Sequence, residues 1–146
     1  MSHVCTAIRQ WAIARLLGAT PAADRVTPVG FAALPVAITD AIEVSTLMSS
    51  ASSGAMGARG KVVSLVLDLY CRRSDSRTLL DAVDALDEAV AQRLDGAEFV
   101  SGIRAWHDNS EEPEIGEHHH VPIVKLTVVY AVVVNLSPGT LSVGVS

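Results

Sequence analysis

The sequence predicts an α+β domain: a mainly antiparallel sheet of about four strands with two helices packed on one of its faces. Three observations lead there. Apolar residues recur at helical spacing in two separate segments, and they alternate at period two in four others. The chain has 146 residues, enough for one core and too few for two, so a single domain over 3–134 with a tail over 135–146 is expected. Hydrophobic residues make up 49% of the chain and charged residues 18%, with mean hydropathy +0.36, so the chain can bury that core.

The first helix is expected over 3–17. Val4, Ile8, Ala12 and Leu16 recur every four residues with Trp11 on the same stripe, so Trp11 reads as core. Gly18 ends the helix and Pro21 lies shortly beyond it. A first strand is expected over 34–44, with Leu34, Val36, Ile38, Ile42 and Val44 on one face, Pro35 near its start, and Asp40 interrupting the apolar side. Residues 45–60, rich in Ser, Ala and Gly, carry no periodicity and read as a long mobile loop holding Met48, Ser49, Ser53 and Met56.

A second strand follows from Lys61. Val63, Leu65, Leu67, Leu69 and Cys71 face the core, while Val62, Ser64, Val66, Asp68 and Tyr70 make a half-polar outer face suited to solvent or to a neighbouring subunit. Ser74-Asp75-Ser76 opens the second helix, Thr78 and Asp81 have capping-box spacing, and Leu79, Val83, Leu86, Val90 and Leu94 form its buried stripe up to Gly96. Phe99 to His107 reads as one strand, 107–120 as an acidic turn, and the run ending at Val134 as the last strand.

Charge is distributed unevenly. Residues 1–77 hold eight Lys/Arg against five Asp/Glu, and residues 78–146 hold three against eleven, within a net charge of −5. Arg59, Lys61, Arg72, Arg73 and Arg77 cluster on the basic side, and Asp84 and Glu88 lie on the acidic helix. Together they are the candidate interface, suited either to a basic face for nucleic acid or an acidic protein, or to two unlike surfaces that meet between copies of the chain. Aromatics at 4% argue against a base-stacking surface for single-stranded nucleic acid. The longest apolar run, Val121 to Val134, is interrupted by Lys125 and Thr127, so no membrane-spanning helix is expected. No secretory signal is visible, and two cysteines make no disulfide framework, which suggests a reducing compartment.

Catalytic signatures are missing. GAMGARGK lacks the spacing of a phosphate-binding loop, and no CxxC, HExxH or GxSxG occurs. No catalytic residue and no cofactor are expected. The one constellation with ligand chemistry is Glu117-His118-His119-His120, where His118 and His120 point to the same side of an extended chain and suit zinc or nickel. A polar turn leading into the last strand is the reading preferred over a metal site.

The order of these pieces resembles the tail-terminator family of long-tailed phages. The matching segments are CTAIRQWAIARLLG, FAALPVAITDAIEV, KVVSLVLDLYCRRSDS, LLDAVDALDEAVAQRL and KLTVVYAV; the resemblance rests on their order and on short patterns such as Leu34-Pro35 and Leu126-Thr127-Val128-Val129-Tyr130, none of them a catalytic signature. The His run, the Ser/Gly/Ala loop and the extension after Val134 depart from the family. The resemblance implies a structural protein without chemistry, a hexameric ring that caps the head-proximal end of the tail tube. Such a ring stops tube polymerisation and provides the surface that joins the head. The implied partners are further copies of the chain, the tail-tube protein and a head-completion protein. DNA would pass through the lumen without sequence recognition, and the place of action would be the virion tail, assembled in the bacterial cytoplasm. The alternatives are another phage neck or tail-completion protein, or a metal- or ligand-binding oligomeric domain.

Overall fold

Residues 2–23, 25–27, 39–50, 60–118 and 120–135 are described in the computed structural model. Helix α1 (Ser2–Leu16) runs where the four-residue spacing places it, and Gly18 ends it with a φ of 72°, a conformation open to glycine at little cost. Helix α2 (Leu79–Leu94) buries Leu79, Val83, Leu86, Val90 and Leu94, the whole expected stripe. Its start differs from expectation. Thr78 makes no side-chain cap bond; a single 3-10 turn, Ser76–Thr78, precedes the helix, and Asp75 caps that turn by accepting from the Arg77 N–H.

The two helices are clasped at their C-terminal ends. Arg15 Nε donates to the Arg93 carbonyl at 2.7 Å, and Arg93 Nε donates to the Arg15 carbonyl at 3.1 Å. Each cation thus sits where the other helix's terminal carbonyls concentrate partial negative charge. Trp11 packs edge-on against Phe99, with ring centroids 5.5 Å apart, at the margin of the core.

The sheet corrects the expected fold class. Over the described residues it has seven strands in mixed arrangement and curls into an open half-barrel, instead of about four strands in mainly antiparallel order. The strands are β1 (Val26–Thr27), β2 (Asp40–Ser50), β3 (Gly60–Arg72), β4 (Glu98–Val100), β5 (Ile103–Ser110), β6 (Glu114–His118) and β7 (Val121–Asn135). Their spatial order is β1-β2-β3-β7-β5-β4, with β6 also paired to β7.

Each departure has a local cause. Strand β1 pairs parallel with β2, Val26 opposite Ile42, through two residues too few to show any alternation. Strands β4 and β5 divide the single strand expected over 99–107 with a two-residue turn, Ser101-Gly102, in which Gly102 has φ 80°. Much of the expected acidic turn is extended chain: β5 runs to Ser110, and β6 pairs Glu114–His118 with Lys125–Val121. Of the expected strand over 34–44, Asp40 to Val44 belong to β2, and residues 34–38 lie outside the described part. Part of the expected loop, 45–50, continues β2, because Ser45–Ser50 pairs residue by residue with Val66–Lys61. Backbone pairing to a long neighbour outweighs the weak strand propensity of Ser and Met there.

Core residues occupy one face. Val63, Leu65, Leu67, Leu69 and Cys71 of β3 and Val124, Val128, Tyr130 and Val132 of β7 are fully buried beneath the helices. Asp40, which interrupts the apolar side in the sequence, is the first residue of β2. It is buried and paired with Arg73 at 2.8 Å.

Candidate assembly surface

Both helices lie against one side of the sheet, which leaves the opposite face open over the middle of β2, β3 and β7. Side chains alternate along strands, so every second residue of each strand points that way. Register aligns these residues into rows. Leu47, Ser64 and Ala131 form one row with Trp106 beside Ala131; Ser45, Val66 and Val129 form the next; Glu43, Asp68 and Thr127 form a third. Leu47 is 70% exposed, Trp106 56% and Val133 54%, so the rows near the β2 end at Ser50 are apolar and open. Toward the other end the face closes, with Ala41 and Arg72 buried.

The Glu43–Asp68–Thr127 row sets two carboxyl groups directly opposite each other on neighbouring strands. The Thr127 hydroxyl donates to Asp68 Oδ1 at 2.6 Å. Glu43 is held above the ordinary glutamate range, first by partial burial, then by its hydrogen bond to Asp68 and by the charge of Asp68; Lys125 works in the opposite sense. Tyr70, in the next row, is pushed up to about 12 by burial and by the negative charges of Asp68, Glu43 and Glu114. A shallow cleft of about 310 Å³ adjoins this region, lined by Tyr70, Glu114, Ile123 and Lys125 among others. Like charges facing each other across a sheet destabilise it, so this row is a cost within the isolated chain.

The sequence-predicted residues scatter. Arg72 is buried. Arg73 is half-buried, donates to both Asp40 carboxylate oxygens and to the Arg72 carbonyl, and its hydrogen bond to Asp40 holds its pKa up. Lys61 is half-buried near the start of β3. Arg77 is exposed and forked onto Asp75, whose carboxyl it holds below the ordinary aspartate range. Asp84 and Glu88 stand one turn apart on the exposed side of α2. The basic residues therefore do not merge into one face: Arg73 and Arg77 are occupied by acids close in the fold. Arg59 lies outside the described residues.

Of the four residues assigned to a mobile loop, Met48 packs against the core from β2 and Ser49 belongs to the same strand, while Ser53 and Met56 lie outside the described residues. His118 ends β6, and His120 is exposed in the turn to β7 with φ 65°. Among the described residues no three His, Cys, Asp or Glu side chains come together as a metal site. A second cleft of about 480 Å³ lies beside this turn, lined in part by Thr39, Arg72, Arg73, Ser74, His120 and Pro122. Cys71 is buried, and burial followed by the nearby Asp40 raises its thiol far above the ordinary range, which favours the protonated thiol.

Sequence reasoning placed Asp68 and Val66 on the outer face but missed Glu43 and Leu47 as their neighbours. The parity of β2 was readable from Ile42 and Val44; its extension past Val44 was not.

No known protein family matches the chain, and no curated protein matches it. Among solved structures it is similar to a chain of the virion of a native gene transfer agent particle, with a TM-score of 0.62 and 17% identity, over 92% of this chain and 99% of that one. At that identity the likeness is one of fold.

Proposed function

We propose that this chain is a structural component of a phage-type virion, and within it a tail terminator: a ring that closes the head-proximal end of the tail tube and carries the head-joining surface. The observation that carries the proposal is the fold likeness to a virion chain, which extends over nearly the full length of both molecules. The residue patterns that resemble the tail-terminator family add the finer role. An open sheet face with exposed apolar side chains fits a protein that works through contact surfaces. In this reading the chain performs no catalysis, and copies of it meet head to tail through two unlike patches.

The test uses the tail-tube protein from the same genome, polymerised with and without the purified chain and imaged by negative-stain electron microscopy. The expected result is short tubes bearing extra density at one end. Tube lengths that do not change with added chain would overturn the terminator role, and binding to a head-completion protein without tube binding would move the chain to the neck.

A further inference from the structure

Two patches of the molecule are complementary, and they lie on different sides of it. The first is the middle of the open sheet face, where the Glu43 and Asp68 carboxyls face each other beside the aliphatic Val66 and Val129. The second is the corner where α2 begins. There the Arg77 side chain is 87% exposed, and Leu80, one turn further on, is 46% exposed. Asp75 takes one edge of the Arg77 guanidinium through Nε and Nη2 and leaves the rest of the group in solvent. A solvent-exposed ion pair of this kind contributes little, so sharing the guanidinium with further carboxylates costs little.

From these observations we infer that the Arg77–Leu80 corner of one copy seats on the open sheet face of the next, with the guanidinium between Glu43 and Asp68 and the leucine against Val66 and Val129. The inference rests on the ring reading above and names the surfaces that reading requires. A guanidinium presents five donors in a plane and matches carboxylates held side by side. Its arrival converts the repulsion within the Glu43–Asp68 row into attraction across the contact. Lys125 offsets the charge row only in part, so a further cation delivered by a neighbouring copy is favourable there, which couples the row to assembly. The leucine and the two valines exclude water around the charges, where electrostatic contacts gain strength. Strand β3 ends at Arg72 and α2 starts a few residues later, so the corner sits at the rim of the sheet. A rim-to-face contact made once with each neighbour turns every copy relative to the last, as a closed ring needs.

The experiment follows the oligomeric state of the full chain by native mass spectrometry and light scattering, for the wild type, Arg77→Glu, Asp68→Arg, and an equimolar mixture of the two variants. Each variant alone should raise the concentration of half-dissociation by about tenfold or more. The mixture should restore assembly, because every contact in an alternating ring then joins opposite charges. The carboxylate introduced at position 77 of one variant meets the guanidinium introduced at position 68 of the other, and the unchanged Arg77 meets the unchanged acids. Circular dichroism checks that each variant folds, and Glu43→Arg replaces Asp68→Arg if the loss of the Thr127 hydrogen bond unfolds it. A wild type that assembles while both variants assemble equally well would overturn this contact and leave the ring reading intact. A mixture that stays dissociated, or a wild type that is monomeric at high concentration, would also overturn it; tube capping then judges the ring reading separately.

Discussion

Glu43 and Asp68 illustrate how a single pair of side chains links folding to acidity. In the folded chain Glu43 keeps its proton to a higher pH than an unfolded glutamate does, chiefly because it is partly buried and bonded to Asp68. A group with a raised folded pKa contributes stability that is complete below its unfolded pKa and is lost as pH rises through the folded value. Replacing the ionisable group removes that loss. Glu43→Gln should therefore be more stable than the wild type at neutral pH by about 0.2–1 kcal/mol, a typical size for a cross-strand charge pair. Solvent at the open face screens the pair and keeps the gain toward the lower end. The advantage should vanish as pH falls below the ordinary glutamate range. Urea unfolding of dilute, dissociated protein across a pH series reads both effects, and a variant less stable than the wild type at neutral pH would contradict the account. Nothing in the one-dimensional pattern announces this pair: twenty-four residues separate its members, and only the register of β2 on β3 brings them together.

Among the elements, α2 was the most legible. Its apolar spacing marks every buried position, and Gly96 marks its end with φ 78°. Its beginning misled, because Thr78 and Asp81 carry the spacing of a capping box and do not form one. The Thr78 hydroxyl instead donates to the Asp75 carbonyl at 2.9 Å, and the capping carboxylate belongs to Asp75, at 2.9 Å from the Arg77 nitrogen. Thr78→Ala should thus leave the melting temperature nearly unchanged, whereas Asp75→Ala should lower it by a few degrees through the lost cap. Thermal unfolding of the two variants decides between them, and a larger loss at Thr78 would restore the capping box. The strands were harder to read for a related reason. A helix writes its period into a contiguous stretch, while a strand can borrow its order from a partner. Ser45–Ser50 does so along β3, and Glu114–His118 does so along β7. The hairpin between Val100 and Ile103 carried a signal in Ser101-Gly102, which the surrounding alternation concealed.

At the scale of the whole molecule, β7 holds the sheet together. It pairs with β3 along one edge and with both β5 and β6 along the other, and it supplies six buried side chains from Val124 to Val134. The strand itself was plain in the sequence; its central position was not, since alternation says which face a residue takes and nothing about which strand lies beside it. Its place in the chain has a consequence for synthesis. A ribosome delivers β2, β3 and α2 well before β7, so for most of translation the nascent polypeptide holds the outer edges of a sheet whose middle does not yet exist. Folding should then be a late, single event. Translation-arrested chains stalled before Val121 should be digested readily by protease, and chains whose release extends past Asn135 should become resistant together in all segments. Protection of β2 and β3 in the shorter chains would mean that the half-sheet stands without its spine.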